Sequence, residues 1–290
     1  MRTAEDRRPV SVRRRTRAAG AGPQRMLLIH GLAANESLWD TCLERLPTPY
    51  EVWSAQMPWR AEGPDDWGQH AALTDWMDAA LRGVPGGAEV VVAHSMSANV
   101  LLELLAGADA VAGADDPLRR YGIRALVLVS PFYRGTAEEF DWPTITHYLN
   151  DFHLIMEDGI RVHSRGRFPA DLQRAMGERV RDRVGPYGWI RFFETYLRTP
   201  RLRTDRITVP CLVLGGERDF AAPAPEGAAL AARVPGARLR ILSGTGHFPM
   251  IEEAERFASE ITDFLTTSTL PADGDPQRGP GALGTLELHR

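Results

Sequence analysis

A serine, a carboxylate and a histidine in this sequence each follow a short apolar segment of the kind that forms a buried strand. Ser95 follows VVVAH, Asp219 follows CLVLGG, and His247 follows RLRILSG. Serine alone is a weak nucleophile, and it needs a base that is itself oriented by an acid. The order serine, acid, histidine is the one expected on an open parallel sheet. The spacing therefore predicts acyl transfer, with Ser95 as nucleophile, His247 as general base and Asp219 as orienting acid.

The stretch EVVVAHSMSANVLLELL, residues 89–105, places Ser95 at the joint between a predicted strand and a predicted helix. Such a sharp corner leaves room only for small residues two positions before and two positions after the serine. Ala93 and Ser97 occupy these positions and are the smallest choices after glycine. Small size can thus replace the glycines of the G-x-S-x-G pattern, although the pentapeptide alone is also typical of an ordinary helix N-cap serine.

Other residues could fill the roles of acid and base. Glu217 is a rival acid, but Asp219 stands further past the end of its strand, and we therefore favour Asp219. We favour His247 as the base because it follows Gly246 in a loop at a strand exit. The other histidines considered are His70, His147, His153 and His163. The last three lack a metal-ligand spacing such as i, i+4, so no metal site is predicted.

Six short apolar segments alternate with longer amphipathic segments. The predicted strands are MLLIH (26–30), YEVWSAQ (50–56), EVVVA (89–93), IRALVLVS (123–130), VPCLVLGG (209–216) and RLRILSG (238–244). Several are apolar almost throughout, as strands buried on both faces are. The alternation predicts an α/β fold with a mostly parallel central sheet and helices on both faces. Reactive groups on such a sheet collect beyond the carboxyl ends of the strands.

Between residues 131 and 205 the sequence contains no buried-strand segment. This quarter of the chain holds 12 of the 23 aromatic residues, and we interpret it as a helical cap, or lid, inserted into a core of residues 25–130 and 206–266. The aromatic side chains could set specificity, or they could form the packed core of the cap itself. Residues 267–290 are rich in Pro, Gly and Thr, which predicts a disordered tail.

Residues 1–24 are predicted to be a flexible basic arm, in which PVSV could add a short edge strand. We favour a solvated arm over one that binds nucleic acid, because no aromatic residues lie among its arginines. The arm also lacks the apolar region of a secretory signal. No apolar run in the chain approaches the ~18 residues that a membrane helix needs. We therefore expect neither nucleic acid nor a membrane as a partner.

The chain contains no lysine, and all 34 basic residues are arginines. Schiff-base chemistry and a P-loop both need lysine, so enzymes that use pyridoxal phosphate, lysine-dependent aldolases and Walker-type NTPases are excluded. Because the two cysteines, Cys42 and Cys211, lie far apart in the sequence, they are not predicted to form a zinc knuckle or a redox pair. We expect a cytoplasmic protein that needs no cofactor.

Four segments together resemble the α/β-hydrolase superfamily: LLIHGLAAN, VVVAHSMSANV, LVLGGERDFAAP and GTGHFPMIEEAERF. The resemblance covers about residues 25–130 and 206–266. It implies that the backbone N–H groups of Leu32, after the H-G pair, and Met96, after the nucleophile, form an oxyanion hole. It also implies a lid after the strand IRALVLVS. His30 and His94 are expected to be buried structural residues, with His30 bracing the oxyanion loop.

The sequence departs from the superfamily pattern at two places. The corner around Ser95 lacks both glycines, and MPWRAEGPDDWG stands where D-x-P-G-x-G-x-S is usual. The nucleophile is a serine rather than an aspartate, which argues against the haloalkane dehalogenases and epoxide hydrolases of this fold.

The predicted function is hydrolysis of an ester, lactone or thioester of a bulky hydrophobic or aromatic small molecule, by a monomer or homodimer. The predicted substrate-binding residues are Trp59, Arg60, Phe132, Tyr133, Tyr148, Trp189, Phe193 and Phe248. The alternative is a cofactor-independent lyase, C–C bond-forming or proton-transfer enzyme of natural-product biosynthesis that uses the same pocket. A non-catalytic binding protein is the third hypothesis, and the complete triad argues against it.

Overall fold

A computed structural model describes residues 10–17, 24–46, 49–60, 63, 66–69, 72–107 and 116–268. His70 lies outside the described residues, as do most of the predicted arm and nearly all of the predicted tail. The strands are β1 (Ser11–Arg14), β2 (Gln24–Ile29), β3 (Tyr50–Gln56), β4 (Val90–His94), β5 (Ala125–Val129), β6 (Cys211–Gly216) and β7 (Arg238–Leu242). The predicted strands therefore exist, with ends that differ by at most two residues.

The seven strands form one sheet in the order β1-β3-β2-β4-β5-β6-β7. Every neighbouring pair is parallel except β1 with β3, which is antiparallel. This arrangement confirms the predicted mostly parallel sheet. The central strand, β4, ends at His94, and the carboxyl ends of β6 and β7 lie on the same edge of the sheet because these strands run parallel to it.

Helices cover both faces of the sheet. They are α1 (Asp40–Leu43), α2 (Leu73–Arg82), α3 (Met96–Ala106), α4 (Pro117–Tyr121), α5 (Trp142–Asn150), α6 (Phe152–His163), α7 (Ala170–Leu197), α8 (Ala224–Arg233), α9 (Pro249–Glu252) and α10 (Ala254–Thr267). Side chains of the buried strands alternate between two apolar clusters, Leu27 and Val91 in one and Leu28 and Val92 in the other. Burial on both faces explains why these strands are apolar almost throughout.

The segment between β5 and β6 forms a helical insertion, as predicted, with no strand from residue 131 to residue 205. Helix α6 packs against α7, and α7 is kinked at Gly185, where φ is 66° and ψ is 174°. Glycine adopts a positive φ without a steric penalty, and Pro186 removes a backbone donor at the same place. The kink divides α7 into two helical parts.

Residues Ser11–Arg14 differ from the expectation of a flexible arm, since they form the edge strand β1. Backbone pairing with β3 orders this stretch, and Val10 and Val12 pack against the core. Arg15 adds an ion pair to Asp40 at 2.5 Å. Part of the PVSV segment thus belongs to the short edge strand that the sequence allows.

Candidate active site

Ser95 stands on a strained corner between β4 and α3. Its backbone has φ 56° and ψ −131°, a conformation that residues other than glycine adopt rarely and at an energetic cost. The surrounding structure holds this geometry, since the Ser95 N–H donates to the Val129 carbonyl at 2.8 Å. A corner of this kind is more than an ordinary N-cap, and no cap hydrogen bond is made by the Ser95 side chain.

The loop after β2 passes very close to this corner, and Gly31 makes the approach possible. A Cβ atom at Gly31 would lie 2.8 Å from the Ser95 Cβ and 2.9 Å from His94 Nδ1. These separations are shorter than side-chain carbon atoms tolerate, so the position requires glycine. The H-G pair therefore brings the backbone at Leu32 to the wall of the site that contains Ser95.

Ser97, which stands in place of the second glycine, uses its hydroxyl group. It donates to the carbonyl of His30 and accepts a hydrogen bond from the Trp59 Nε1–H at 3.2 Å. The carbonyl of Trp59 in turn accepts from the Ala33 N–H at 2.8 Å. Trp59 thus connects the corner to the loop after β2. Ser97 at the corner and Trp59 in the MPWRAEGPDDWG segment are the two places where the sequence departs from the superfamily pattern, and they contact each other.

His247 lies between the other two predicted residues. Its Nε2 is 3.0 Å from Ser95 Oγ, and its Nδ1 is 2.9 Å from Asp219 Oδ2. All three side chains are buried. Burial by itself lowers the pKa of His247, but the carboxylates of Asp219, Asp158 and Glu252 together outweigh it, and the net effect is a raised pKa. The arrangement can remove a proton from Ser95 and stabilise the imidazolium that results.

Asp219 is oriented by the turn that follows β6. Its Oδ1 accepts the N–H groups of Ala221 at 3.0 Å and Ala222 at 2.9 Å. The rival carboxylate, Glu217, accepts the N–H of Gly244 at 2.9 Å and makes no described contact with His247. The structure therefore places Asp219, and not Glu217, beside the imidazole.

The loop that carries His247 is held by a residue that sequence reasoning missed. Glu252, at the end of α9, accepts the N–H groups of Gly246 and Phe248, each at 3.1 Å. These bonds fix the backbone on both sides of His247. The signal in the sequence was the GHFPMIEE stretch, in which an acid stands five residues after the histidine.

A cavity of about 210 Å³ lies against Ser95 and His247. Among the predicted residues, Leu32, Phe132 and Phe248 also line it. Sequence reasoning missed most of the remaining wall, to which α6 and α7 contribute the apolar residues Phe152, Ile155, Met156, Ile160, Val180 and Phe192. These side chains are apolar, so the space beside the serine suits a hydrophobic group.

Residues 26–260 match the sequence profile of the α/β hydrolase family, which is most of the chain. This chain belongs to the α/β hydrolase family. It is therefore an enzyme of hydrolase type, as the resemblance implied. The chain is 25% identical over 270 residues to the pimeloyl-(acyl-carrier protein) methyl ester esterase of Neisseria meningitidis serogroup A; the match covers 83% of this chain and 77% of that esterase.

Two solved structures share the fold of this α/β hydrolase. The enol-lactonase from Burkholderia xenovorans LB400 has a TM-score of 0.58 at 21% identity, covering 89% of this chain and 96% of the lactonase. An esterase from Rhodococcus sp. ECU1013 has a TM-score of 0.58 at 16% identity, covering 89% of this chain and 95% of the esterase. At these identities the likeness concerns the fold.

Several predicted substrate-binding residues of this α/β hydrolase lie away from the cavity. Trp59 is 1% exposed, and its indole N–H donates to Ser97. Arg60 donates to the carbonyl of Met57 at 3.3 Å. The N–H of Tyr133 donates to Glu226 at 2.9 Å, and its ring is buried in the core. None of the three lines the cavity.

The other three belong to the packing of the helical insertion. Trp189 stacks on Phe193, with ring centroids 5.0 Å apart and planes inclined by 8°, and its Nε1–H donates to the Tyr148 carbonyl at 3.2 Å. The Tyr148 hydroxyl donates to the Ala221 carbonyl at 2.9 Å. These contacts favour the alternative that the aromatic residues form a packed core, since aromatic pairs stabilise one another beyond the area that they bury. Trp189 also lines a separate surface groove.

His30 and His94 are buried in the α/β hydrolase core, as expected. The Met57 N–H donates to His30 Nε2 at 2.9 Å, so the ring is neutral with its proton on Nδ1, which lies 2.8 Å from the Gly31 carbonyl. Burial lowers the pKa of His30 to about 4. His94 Nε2 lies 2.9 Å from the His247 carbonyl, and burial lowers its pKa as well. Neither ring contacts Ser95 through a hydrogen bond, so neither is a second base.

Met96 is fully buried and its side chain does not line the cavity, which leaves only its backbone N–H for the predicted role. Within the described ranges, no three His, Cys, Asp or Glu residues are grouped as metal ligands. The same part of the chain has no helix that is long and apolar enough to span a bilayer.

Proposed function

We propose that this enzyme is a serine hydrolase that cleaves the ester, thioester or lactone of a hydrophobic small molecule. The observation that carries the proposal is the continuous contact from Asp219 through His247 to Ser95, beside an apolar cavity. Among known proteins, the meningococcal relative is a methyl ester esterase, which supports the ester class.

In the proposed reaction, Ser95 Oγ attacks the substrate carbonyl while His247 Nε2 accepts its proton. Asp219 keeps the imidazole in the orientation that the 3.0 Å contact to Ser95 requires, and it stabilises the cation. The imidazolium then protonates the leaving alcohol or thiol, which leaves an acyl group on Ser95. Water, deprotonated by His247, releases the acid and restores the serine.

The negative oxygen of the intermediate would rest on the backbone N–H groups of Leu32 and Met96. Fixed donors at that position are worth about 3–4 kcal/mol each to the transition state. The close approach at Gly31 supports this assignment, because it brings the loop that carries Leu32 against the corner at Ser95.

The helical insertion, residues 131–205, would act as the cap that sets specificity. Phe152 and Met156 on α6, with Phe192 on α7, contribute to the wall of the cavity. A hydrophobic acyl or ring group packed there loses contact with water, which favours binding by about 25 cal/mol per Å² of apolar surface. The phenylalanine side chains in the cavity wall are Phe132, Phe152, Phe192 and Phe248.

The test is covalent labelling of Ser95 with a fluorophosphonate, followed by peptide mass mapping. We expect one adduct, located at Ser95, in the wild type and none in Ser95→Ala. A panel of p-nitrophenyl esters from acetate to decanoate should then show a preference for medium or long acyl groups over acetate. Labelling at another residue, or none, would contradict the proposed nucleophile.

Comparison of two variants on any turned-over substrate separates hydrolysis from the alternative chemistry. Acyl transfer requires both groups, so Ser95→Ala and His247→Ala should each lose activity. Activity retained in Ser95→Ala and lost in His247→Ala would instead indicate general-base chemistry without an acyl-enzyme.

A further inference from the structure

Glu226, on the first turn of α8, is a buried carboxylate for which the proposed reaction has no use. It is 8% exposed, and its Oε2 accepts the N–H of Tyr133 at 2.9 Å. Its Oε1 accepts the hydroxyl of Tyr196. Burial raises the pKa of Glu226 to about 7. A buried carboxylate is costly, so its complete set of donors indicates that its position is well defined.

The contacts of Glu226 join the helical insertion to the sheet domain. Tyr196 comes from α7, and Tyr148, on α5, has its hydroxyl 3.5 Å from Glu226 Oε1. Arg134, in the segment after β5, donates from Nε to the Tyr196 hydroxyl at 2.7 Å and lies 3.7 Å from Glu226. One carboxylate on α8 is thus surrounded by side chains from three other parts of the chain.

This network reaches the proposed triad through Ala221. The Ala221 carbonyl accepts the Tyr148 hydroxyl at 2.9 Å, and the Ala221 N–H donates to Asp219 Oδ1 at 3.0 Å. The residue that Tyr148 holds is therefore one of the two residues whose N–H groups orient Asp219. Loss of the Tyr148 bond would free the Ala221 carbonyl to move, and the N–H that faces Asp219 belongs to the same residue.

We propose that Tyr148 and Glu226 are positioning residues that hold the Ala221 backbone and so align Asp219 with His247. The expected effect on catalysis rests on the proposed function. The expected effect on the contact between Asp219 and His247 does not. Through this contact, the orientation of the acid depends on how α5 and α7 dock on α8. The helical insertion then does more than cover the cavity, since it completes the support of a residue that belongs to the sheet domain.

A network that only stabilised the fold would affect unfolding and leave the contact between Asp219 and His247 unchanged. Tyr148→Phe removes one buried hydroxyl, and Tyr121→Phe is its matched control. The Tyr121 hydroxyl donates to Asp78 Oδ1 at 2.5 Å, between α4 and α2, and neither residue contacts the proposed triad. Both variants lose a tyrosine hydrogen bond, which is buried at Tyr148 and partly buried at Tyr121, and only the first of these bonds reaches Ala221.

The direct measurement is the downfield proton resonance of the His247 Nδ1–H, assigned by its loss in His247→Gln. We expect Tyr148→Phe to shift or broaden this resonance and Tyr121→Phe to leave it in place. Glu226→Gln should act in the same direction as Tyr148→Phe, because its amide NH₂ replaces the oxygen that accepts either the Tyr133 N–H or the Tyr196 hydroxyl. An unchanged resonance in both Tyr148→Phe and Glu226→Gln would overturn the proposal.

Steady-state kinetics of the same variants provide a second test of the proposed positioning role. If Asp219 is misaligned, kcat should fall about tenfold in Tyr148→Phe while KM stays within about twofold, since small displacements of catalytic groups act mainly on rate. A fall in kcat of the same size in Tyr121→Phe would contradict a specific role. Absence of fluorophosphonate labelling in the wild type would contradict the proposed function. The resonance measurement would still test whether Tyr148 and Glu226 position Asp219.

Discussion

The indole Nε1 of Trp59 lies 3.2 Å from the hydroxyl oxygen of Ser97, two residues after Ser95. This contact ties the corner to a loop whose sequence departs from the superfamily pattern. A glycine at position 97 would leave the indole N–H with only the His30 carbonyl, at 3.5 Å. The unusual residues at positions 59 and 97 are therefore interdependent.

We expect Trp59→Phe to destabilise the protein by about 1–3 kcal/mol, because the Ser97 oxygen loses a donor inside the core. In a double-mutant cycle with Ser97→Gly, the two changes should be non-additive by about 0.5–3 kcal/mol, measured by urea unfolding. The matched control is Trp53→Phe, since the Trp53 indole donates at 2.9 Å to Glu51 near the edge of the sheet. Additive effects in the cycle would show that the two residues are independent.

Asp219→Asn should lower kcat by about 10⁴-fold on any ester that the wild type hydrolyses. An amide can donate to His247 Nδ1 and so favour the imidazole tautomer that cannot accept the Ser95 proton. Glu217→Gln is the control, since this carboxylate accepts from Gly244 instead. Equal losses in the two variants would mean that Asp219 is not the acid.

The pH dependence of kcat/KM should reflect the raised pKa of His247. Burial opposes the charged form of this imidazole, but the carboxylates of Asp219, Asp158 and Glu252 together favour it more strongly, so the pKa is raised above 6.5. A general base must be neutral, so activity should rise with pH and reach its plateau above pH 6.5. A stopped-flow or steady-state profile with a half-maximum at or below pH 6 would contradict this prediction.

Gly31→Ala should abolish most activity while Gly215→Ala changes it little. A methyl group at position 31 would lie 2.8 Å from the Ser95 Cβ, whereas at position 215 the nearest atom is Ile241 Cδ1, at 3.5 Å. Displacing the loop that carries Leu32 should cost about 10²-fold in kcat, because catalytic groups must be held within fractions of an ångström. Steady-state kinetics and thermal melts of both variants provide the measurement; a fully active Gly31→Ala would show that the loop can shift without consequence.

The sheet, its parallel direction and the positions of Ser95, Asp219 and His247 at strand ends were all predictable from the sequence. The reason is local: a strand buried on both faces must be apolar throughout, so the residue where that pattern stops marks the rim of the sheet. Parallel strands then bring their carboxyl ends to one edge, however far apart they lie in the chain.

The walls of the cavity depended on tertiary structure. Trp59 and Tyr148 were expected at the cavity, but one donates to Ser97 and the other to Ala221. Helices α6 and α7 instead provide Met156 and Phe192, because their packing and the kink at Gly185 decide which face meets the serine.

Glu226 and Glu252, the two carboxylates that support the proposed triad, also depended on tertiary structure. Glu226 and Glu252 stand in helical segments whose sequences resemble those of solvated surfaces, and charged residues there are usually exposed. Their hydrogen-bond donors are backbone and tyrosine groups, and Arg134, which lies 3.7 Å from Glu226, is far from it in the sequence, so no local charge pattern reveals these contacts. Periodicity along the chain determined where the reactive groups stand. The docking of helices from distant parts of the chain decided what surrounds and aligns them, because those contacts depend on shape rather than on neighbouring residues.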